Sequence, residues 1–194
     1  MSITSDNFKH SFELIYKNII HTKLQFILYD KYQKKYLKNN TIENSLIFDS
    51  LKNTILVKLA KILDIDCKKE AITIFYILNM IQSNKEINNE NQELIKYVTT
   101  VNKYIRNECE TLKKIKTIRD KNIVYLDKKY RNGYSDLKVD NNLLHNEIDE
   151  ITSYLLGVIN TLKFKLYNEN STYDNLLKEL LDEIANDKVS NSLN

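Results

Sequence analysis

The residues best suited to chemistry in this sequence lie in one stretch, TIRDKNIVYLDKKY, from Thr117 to Tyr130. On a helix that turns about 100° per residue, Arg119 and Asn122 are about 60° apart, as are Asn122 and Tyr125. Their guanidinium, carboxamide and phenol groups therefore form one polar ridge. Such a ridge has the donors needed to hold an anion.

The polar ridge interrupts an aliphatic stripe whose members recur at helical spacing: Leu94, Val98, Val101, Ile105, Leu112 and Ile115. Further steps of three or four reach Arg119 and Asn122 before the stripe recovers at Leu126. Burying a guanidinium costs several kcal/mol unless it is paired. Two explanations stay open: a salt bridge to Asp49 or Asp64, or a polar cleft that holds an anion, for instance at a subunit interface.

The choice of arginine is informative because this chain otherwise uses lysine. Arginine occurs three times among 29 basic residues, and the formal net charge is only +3. Abundant lysine, asparagine and isoleucine are typical of an AT-rich genome, so the lysines are weak evidence for a nucleic-acid partner. Drift of that kind favours lysine where only charge matters, which indicates a specific role for Arg119.

Composition predicts an all-α fold. The chain has 194 residues, no proline and two glycines, too few turn residues for a sheet protein of this length. We expect an antiparallel helical bundle of about five helices, with residues 1–187 in a single domain and residues 188–194 as a polar, disordered tail.

Apolar periodicity and capping residues give the expected helices. They cover about Ser5 or Asp6 to Leu37, 42–64 after a Thr41 cap, 70–82, Gln92–Tyr130, about Asn142–Tyr167, and 172–187. Residues 83–92 are predicted to form a loop.

Other constellations carry less chemistry. His10, His21 and His145 lie far apart, Cys67 and Cys109 are isolated, and no glycine-rich phosphate loop is present, so we expect no metal and no cofactor. The stretch YDKYQKKYLK is either a nucleic-acid contact or a solvated helix end. No secretion signal or long apolar run is visible, so a cytoplasmic location without a membrane helix is expected.

Beyond these patterns, RDKNIVYLDKK closely resembles the active-site helix of HEPN-domain proteins, in particular the abortive-infection AbiU-type branch. The signature there is an arginine, a polar residue, about four variable positions and a histidine. SLKNTILVKLAKILD resembles the second helix of that family, and the segment from LLHNEIDEITSYLLG to LLKELL resembles its C-terminal helices. The resemblance covers most of the chain.

The resemblance implies a homodimer in which two motif helices form one cleft that cuts RNA, tRNA included, without a metal. Arg119 would bind the scissile phosphate and Asp120 would orient the pair, while Tyr125 stands where the family has its histidine. Four further motif residues would contact RNA: Lys121, Asn122, Asp127 and Lys128. Toxins of this type act in phage defence and pair with an antitoxin, such as a nucleotidyltransferase-type protein.

Tyr125 departs from the family pattern at the proton-transfer position. A tyrosine side chain has an ordinary pKa of about 10 and a histidine side chain one of about 6.5, so the phenol is a poor proton shuttle at neutral pH. The protein is then a non-cleaving relative that still binds RNA or a partner, a slow enzyme that takes its proton elsewhere, or a form selected for loss of toxicity. The alternative function is a non-catalytic helical module that binds an antitoxin or another protein. A nucleotidyltransferase that caps a tyrosine near the motif is a further alternative.

Overall fold

A computed structural model describes residues 6–36, 41–64, 72–118 and 145–190. The helices in these ranges are α1 (Asp6–Tyr36), α2 (Ile42–Ile62), α3 (Ile74–Ser83), α4 (Lys85–Glu90), α5 (Gln92–Lys103), a π-helical turn (Tyr104–Glu108), α6 (Glu110–Ile118), α7 (His145–Tyr167) and α8 (Tyr173–Ser190). The described ranges contain no strand, and the all-α prediction is confirmed.

Helix α1 is the centre of the bundle and packs mainly against α2 and α7, with smaller contacts to α3 and α8. Its contacts with α7 run from Phe12 with Tyr167 to Asp30 with His145. Residue numbers rise along α1 as they fall along α7, so the two helices are antiparallel. Helices α3 and α5 are antiparallel in the same way.

The predicted apolar stripes form the core. Each member of the stripe on α5, the π turn and α6 is at most 5% exposed, from Leu94 to Ile115. On α7, the predicted positions Ile148, Ile151, Leu155, Val158 and Leu162 are buried as well. No helix in the described ranges combines the length and the apolar character that spanning a membrane requires.

Asparagine caps explain one difference from the predicted helix bounds. The stretch 83–92, predicted as a loop, contains the short helix α4. The Asn84 side chain accepts a hydrogen bond from the Ile87 amide at 3.1 Å, and Asn91 accepts one from the Leu94 amide at 3.0 Å. Such caps satisfy amides that a helix start leaves unpaired. At the other end of the chain, α8 continues to Ser190, past the predicted start of the tail.

The long helix predicted from Gln92 is interrupted within its described part. The Cys109 amide donates to the Tyr104 carbonyl at 3.0 Å, which closes a π turn, and Cys109 itself has extended backbone angles (φ −79°, ψ 96°). The interruption falls in the seven-residue gap of the stripe between Ile105 and Leu112. Cys109 fills that gap and is 4% exposed, so the stripe stays buried across the break.

Two lysines are buried where α1 meets α7. The Lys23 amine donates to Asp149 and, at 2.7 Å, to the Ser153 hydroxyl. The Lys163 amine lies 3.4 Å from a carboxylate oxygen of Glu13. Burying an amine is costly unless it is paired, so these carboxylates are needed where they are.

Replacing Asp149 by alanine is expected to lower the free energy of unfolding by about 1–3 kcal/mol, because Lys23 then stays buried without its carboxylate. Chemical denaturation measures the change. The exposed neighbour Glu150, changed to alanine, is the matched control and should cost less than about 0.5 kcal/mol. Adding Lys23→Met to Asp149→Ala should recover most of the loss. Equal losses in Asp149→Ala and Glu150→Ala would contradict the assigned role.

Candidate functional site

The seven motif residues predicted to act on RNA lie outside the described ranges. They are Arg119, Asp120, Lys121, Asn122, Tyr125, Asp127 and Lys128. Their roles stay predictions, as does a salt bridge from Arg119 to Asp49 or Asp64. The described structure reaches the residue before the motif, because α6 ends at Ile118, and resumes where α7 begins at His145.

The two helices that flank the motif meet at one end of the bundle. The Lys114 amine, in α6, donates to the Glu147 carboxylate in the first turn of α7. Farther along, Tyr104 of the π turn contacts Tyr154 of α7, with ring centroids 4.9 Å apart. Residue numbers rise from Tyr104 to Lys114 on one segment and fall from Tyr154 to Glu147 on the other, so the two segments are antiparallel. The C-terminal end of α6 therefore lies beside the N-terminal end of α7.

His145 lies at this end of the bundle and is tied to α1. Its Nε2 is 2.8 Å from an oxygen of Asp30, and the Lys34 amine donates to the other oxygen of that carboxylate at 2.7 Å. The imidazole also packs on Phe26, with centroids 4.7 Å apart, and on Tyr29 at 5.7 Å. Its Nδ1 is buried and has no hydrogen-bond partner among the residues that the structure describes. The ring is thus oriented by a carboxylate and by two aromatic side chains.

Tyr29 shows that the lysine- and tyrosine-rich end of α1 is not all available to a nucleic acid. Its ring is 7% exposed and contacts Phe48 of α2 edge to face. Burial raises the pKa of the Tyr29 phenol, and the nearby charges of Asp49 and Asp30 raise it further. This tyrosine is a core residue that stays protonated, and it offers no face on which a base could stack.

The other two histidines and the question of a metal site can be assessed only over the residues that the structure describes. His10 and His21 are exposed on α1. Within residues 6–36, 41–64, 72–118 and 145–190, no three histidine, cysteine or carboxylate side chains are grouped as metal ligands would be.

The pairing of His145 with Asp30 was not predicted. Both residue types are common, and a contact between residues so far apart in the sequence follows only from how α1 and α7 pack. A single sequence contains no local signal for it.

His145 is expected to contribute chiefly through its ring. His145→Phe keeps the contacts with Phe26 and Tyr29 and removes the unpartnered Nδ1, so the free energy of unfolding should change by less than about 1 kcal/mol. His145→Ala removes the ring contacts as well and should cost about 1–3 kcal/mol. Denaturant titration of both variants measures the difference, and an equally large loss in each would show that the Asp30 pair dominates instead.

Comparison with known proteins adds no relative: the chain matches no protein-family model, no curated protein and no solved structure. What the chain does must therefore be argued from its own residues.

Proposed function

We propose that this protein is a HEPN-type toxin or phage-defence protein that acts on RNA as a metal-independent endoribonuclease, weakened here because Tyr125 occupies the histidine position. The observation that carries the proposal is the sequence RDKNIVYLDKK, which begins directly after the last residue of α6. The arginine at the head of that motif supplies the cationic group that phosphate binding needs.

The described fold supports the proposal by the way in which α6 is held. Leu112 and Ile115 are buried in the core, and Lys114 links the helix to Glu147 of α7. A site that binds a phosphate needs its groups on a well-supported element, because misplacement by 1 Å costs much of the rate. The motif residues continue from a helix that meets this requirement.

The proposed chemistry assigns one task each to Arg119, Asp120 and Tyr125. Arg119 neutralises the scissile phosphate and the charge that develops on it, and Asp120 orients the guanidinium. Proton transfer at the 2′-hydroxyl falls to Tyr125, whose phenol is mostly protonated at neutral pH and exchanges its proton less readily than an imidazole. Two copies of the motif, one from each subunit, form the cleft.

Restoring the imidazole should raise RNA cleavage. Tyr125→His is expected to increase the rate about 10²- to 10⁴-fold, the usual contribution of a general acid or base. Arg119→Ala in that background should abolish the gain, and Tyr125→Phe should lie at or below the starting protein. Cleavage is measured on total RNA and on tRNA in the presence of a chelator.

Two outcomes would redirect the proposal. If Tyr125→His neither cuts RNA nor slows growth of the expressing cells, the ribonuclease assignment is wrong and the non-catalytic interaction module is favoured. If the chelator alone abolishes cleavage, the metal-independent mechanism is wrong. His145→Phe in the Tyr125→His background serves as a further arm, and it should leave cleavage unchanged because His145 is engaged with Asp30.

The composite cleft requires two chains. Light scattering at micromolar concentration should give twice the 23.0 kDa mass of one chain. Arg119→Ala should retain that mass, because the variant removes a phosphate ligand and leaves the aliphatic contacts of the helix. A monomer under these conditions would exclude a cleft shared between subunits.

A further inference from the structure

A cleft unrelated to the motif opens where the π turn faces α7. A π turn inserts an extra residue into a helix and is often found at functional sites. Here it ends at Cys109, whose extended backbone separates α5 from α6. The inserted residue and the break leave a gap on the side facing Tyr154 of α7.

The cleft has a volume of about 440 Å³, within the range of small-molecule sites. Its lining consists of Thr99, Thr100, Lys103, Tyr104, Glu108 and Tyr154. None of these six side chains is aliphatic. A groove that receives an apolar helix or a leucine side chain would be lined by aliphatic residues, so this lining favours a flat, polar-edged ligand.

Two tyrosines supply the flat surfaces. The rings of Tyr104 and Tyr154 are 4.9 Å apart and tilted by 52°, and Tyr104 is 38% exposed. Burial raises the pKa of Tyr154 to about 12, with the neighbouring phenols Tyr97 and Tyr104 adding to the shift. Tyr154 therefore keeps its proton at neutral pH and remains a hydrogen-bond donor, while the ring of Tyr104 faces the solvent.

Polar groups surround these rings. Lys103 and Glu108 form a pair at 3.7 Å, with side chains 70% and 55% exposed. An exposed ion pair of this length contributes little to the stability of the fold. Either side chain can therefore rotate toward a ligand at a small cost in free energy. The Thr99 hydroxyl accepts a hydrogen bond from the Gln82 amide at 3.0 Å, which leaves its own proton to donate. The cleft thus offers donors and acceptors around an aromatic surface.

We propose that this cleft binds one unstacked base of single-stranded RNA, with the base against Tyr104 and the adjoining phosphate at Lys103. Stacking on an aromatic ring and neutralisation of phosphates by lysine are the two interactions that hold single strands. Glu108 and Thr99 belong to the same lining and are the groups available to the edge of the base. The inference rests on the proposed function for its choice of RNA and adds a contact remote from the cleavage motif.

The test measures RNA binding separately from cleavage. Single-stranded oligouridine and oligoadenosine, labelled with a fluorophore, are titrated with Arg119→Ala protein by anisotropy, so that turnover cannot interfere. Adding Tyr104→Ala should weaken binding about 5- to 150-fold, as expected for the loss of one stacked base, whereas Tyr104→Phe keeps the ring and should bind as before. Both variants are first compared by chemical denaturation.

The lysine supplies a second, independent readout. Lys103→Ala should lower the salt dependence of binding by about one phosphate contact, whereas Lys85→Ala, at an exposed lysine on α4, should not. Equal binding of Tyr104→Ala and Tyr104→Phe, or equal salt slopes for the two lysine variants, would overturn the proposal, as would failure of either oligonucleotide to bind.

The two proposals fail separately. If RNA binding depends on Tyr104 but the Tyr125→His variant does not cut RNA, the base-binding cleft is supported and the ribonuclease assignment is wrong. If the Tyr125→His variant cuts RNA but Tyr104→Ala does not change RNA binding, the base-binding cleft is excluded and the ribonuclease assignment is supported.

Discussion

The antiparallel contact between α1 and α7 joins the first described helix to the C-terminal part of the bundle. Two ion pairs with buried amines span this contact. Lys23 of α1 pairs with Asp149 of α7, and Lys163 of α7 pairs with Glu13 of α1. A slip of one helical turn, about 5.4 Å, would separate Lys23 from Asp149 and Lys163 from Glu13, leaving Lys163 only its contact with Glu169 at 3.4 Å. Apolar contacts are non-directional and tolerate such a shift far better than buried charges do. The charges therefore set the alignment of the two helices, and this alignment places His145 beside Asp30.

The sequence predicted the features that depend on local periodicity and missed those that depend on contacts between helices. The stripe from Leu94 to Ile115 is buried as expected, because helical spacing alone determines which residues share a face. Nothing in the sequence singles out Lys23 or Lys163, because their partners Asp149 and Glu13 lie in another helix. The break at Cys109 was missed because the stripe continues across it with ordinary helical spacing. Of the candidate site, only the flanking helices can be compared with the prediction, since the motif itself lies outside the described residues.

Arg106, the one arginine within the described ranges, shows what this lysine-rich chain gains from a guanidinium. Its Nε donates to the Asn102 side chain at 2.7 Å, and its guanidinium lies 4.6 Å from the centroid of the Phe75 ring. The Asn102 amide in turn donates to Gln82 at 3.0 Å. A lysine can neither stack as a plane nor hold such a fixed fork of donors. This supports the inference that arginine is used here for geometry, and it identifies cross-helix packing as one such use beside the phosphate binding proposed for Arg119.

In the sequence, Tyr104 and Glu108 of the proposed base-binding cleft precede α6, and the proposed cleavage motif follows it. This helix has nine residues, so at 1.5 Å per residue it is about 14 Å long. The π turn precedes it, and Arg119 follows Ile118 directly in the sequence. A single RNA strand that leaves the base-binding cleft along α6 would pass Lys113 and Lys114 before it reaches the motif. Lys113 is paired with Glu110 and Lys114 with Glu147, so a phosphate on this path would have to compete with carboxylates. Lys113 and Glu110 are both exposed, so this pair is weak enough for a phosphate to exchange with it, whereas Lys114 is held by a carboxylate that is only 16% exposed. If both proposals hold, the nine residues of α6 separate the base-binding cleft from the cleavage motif along the chain.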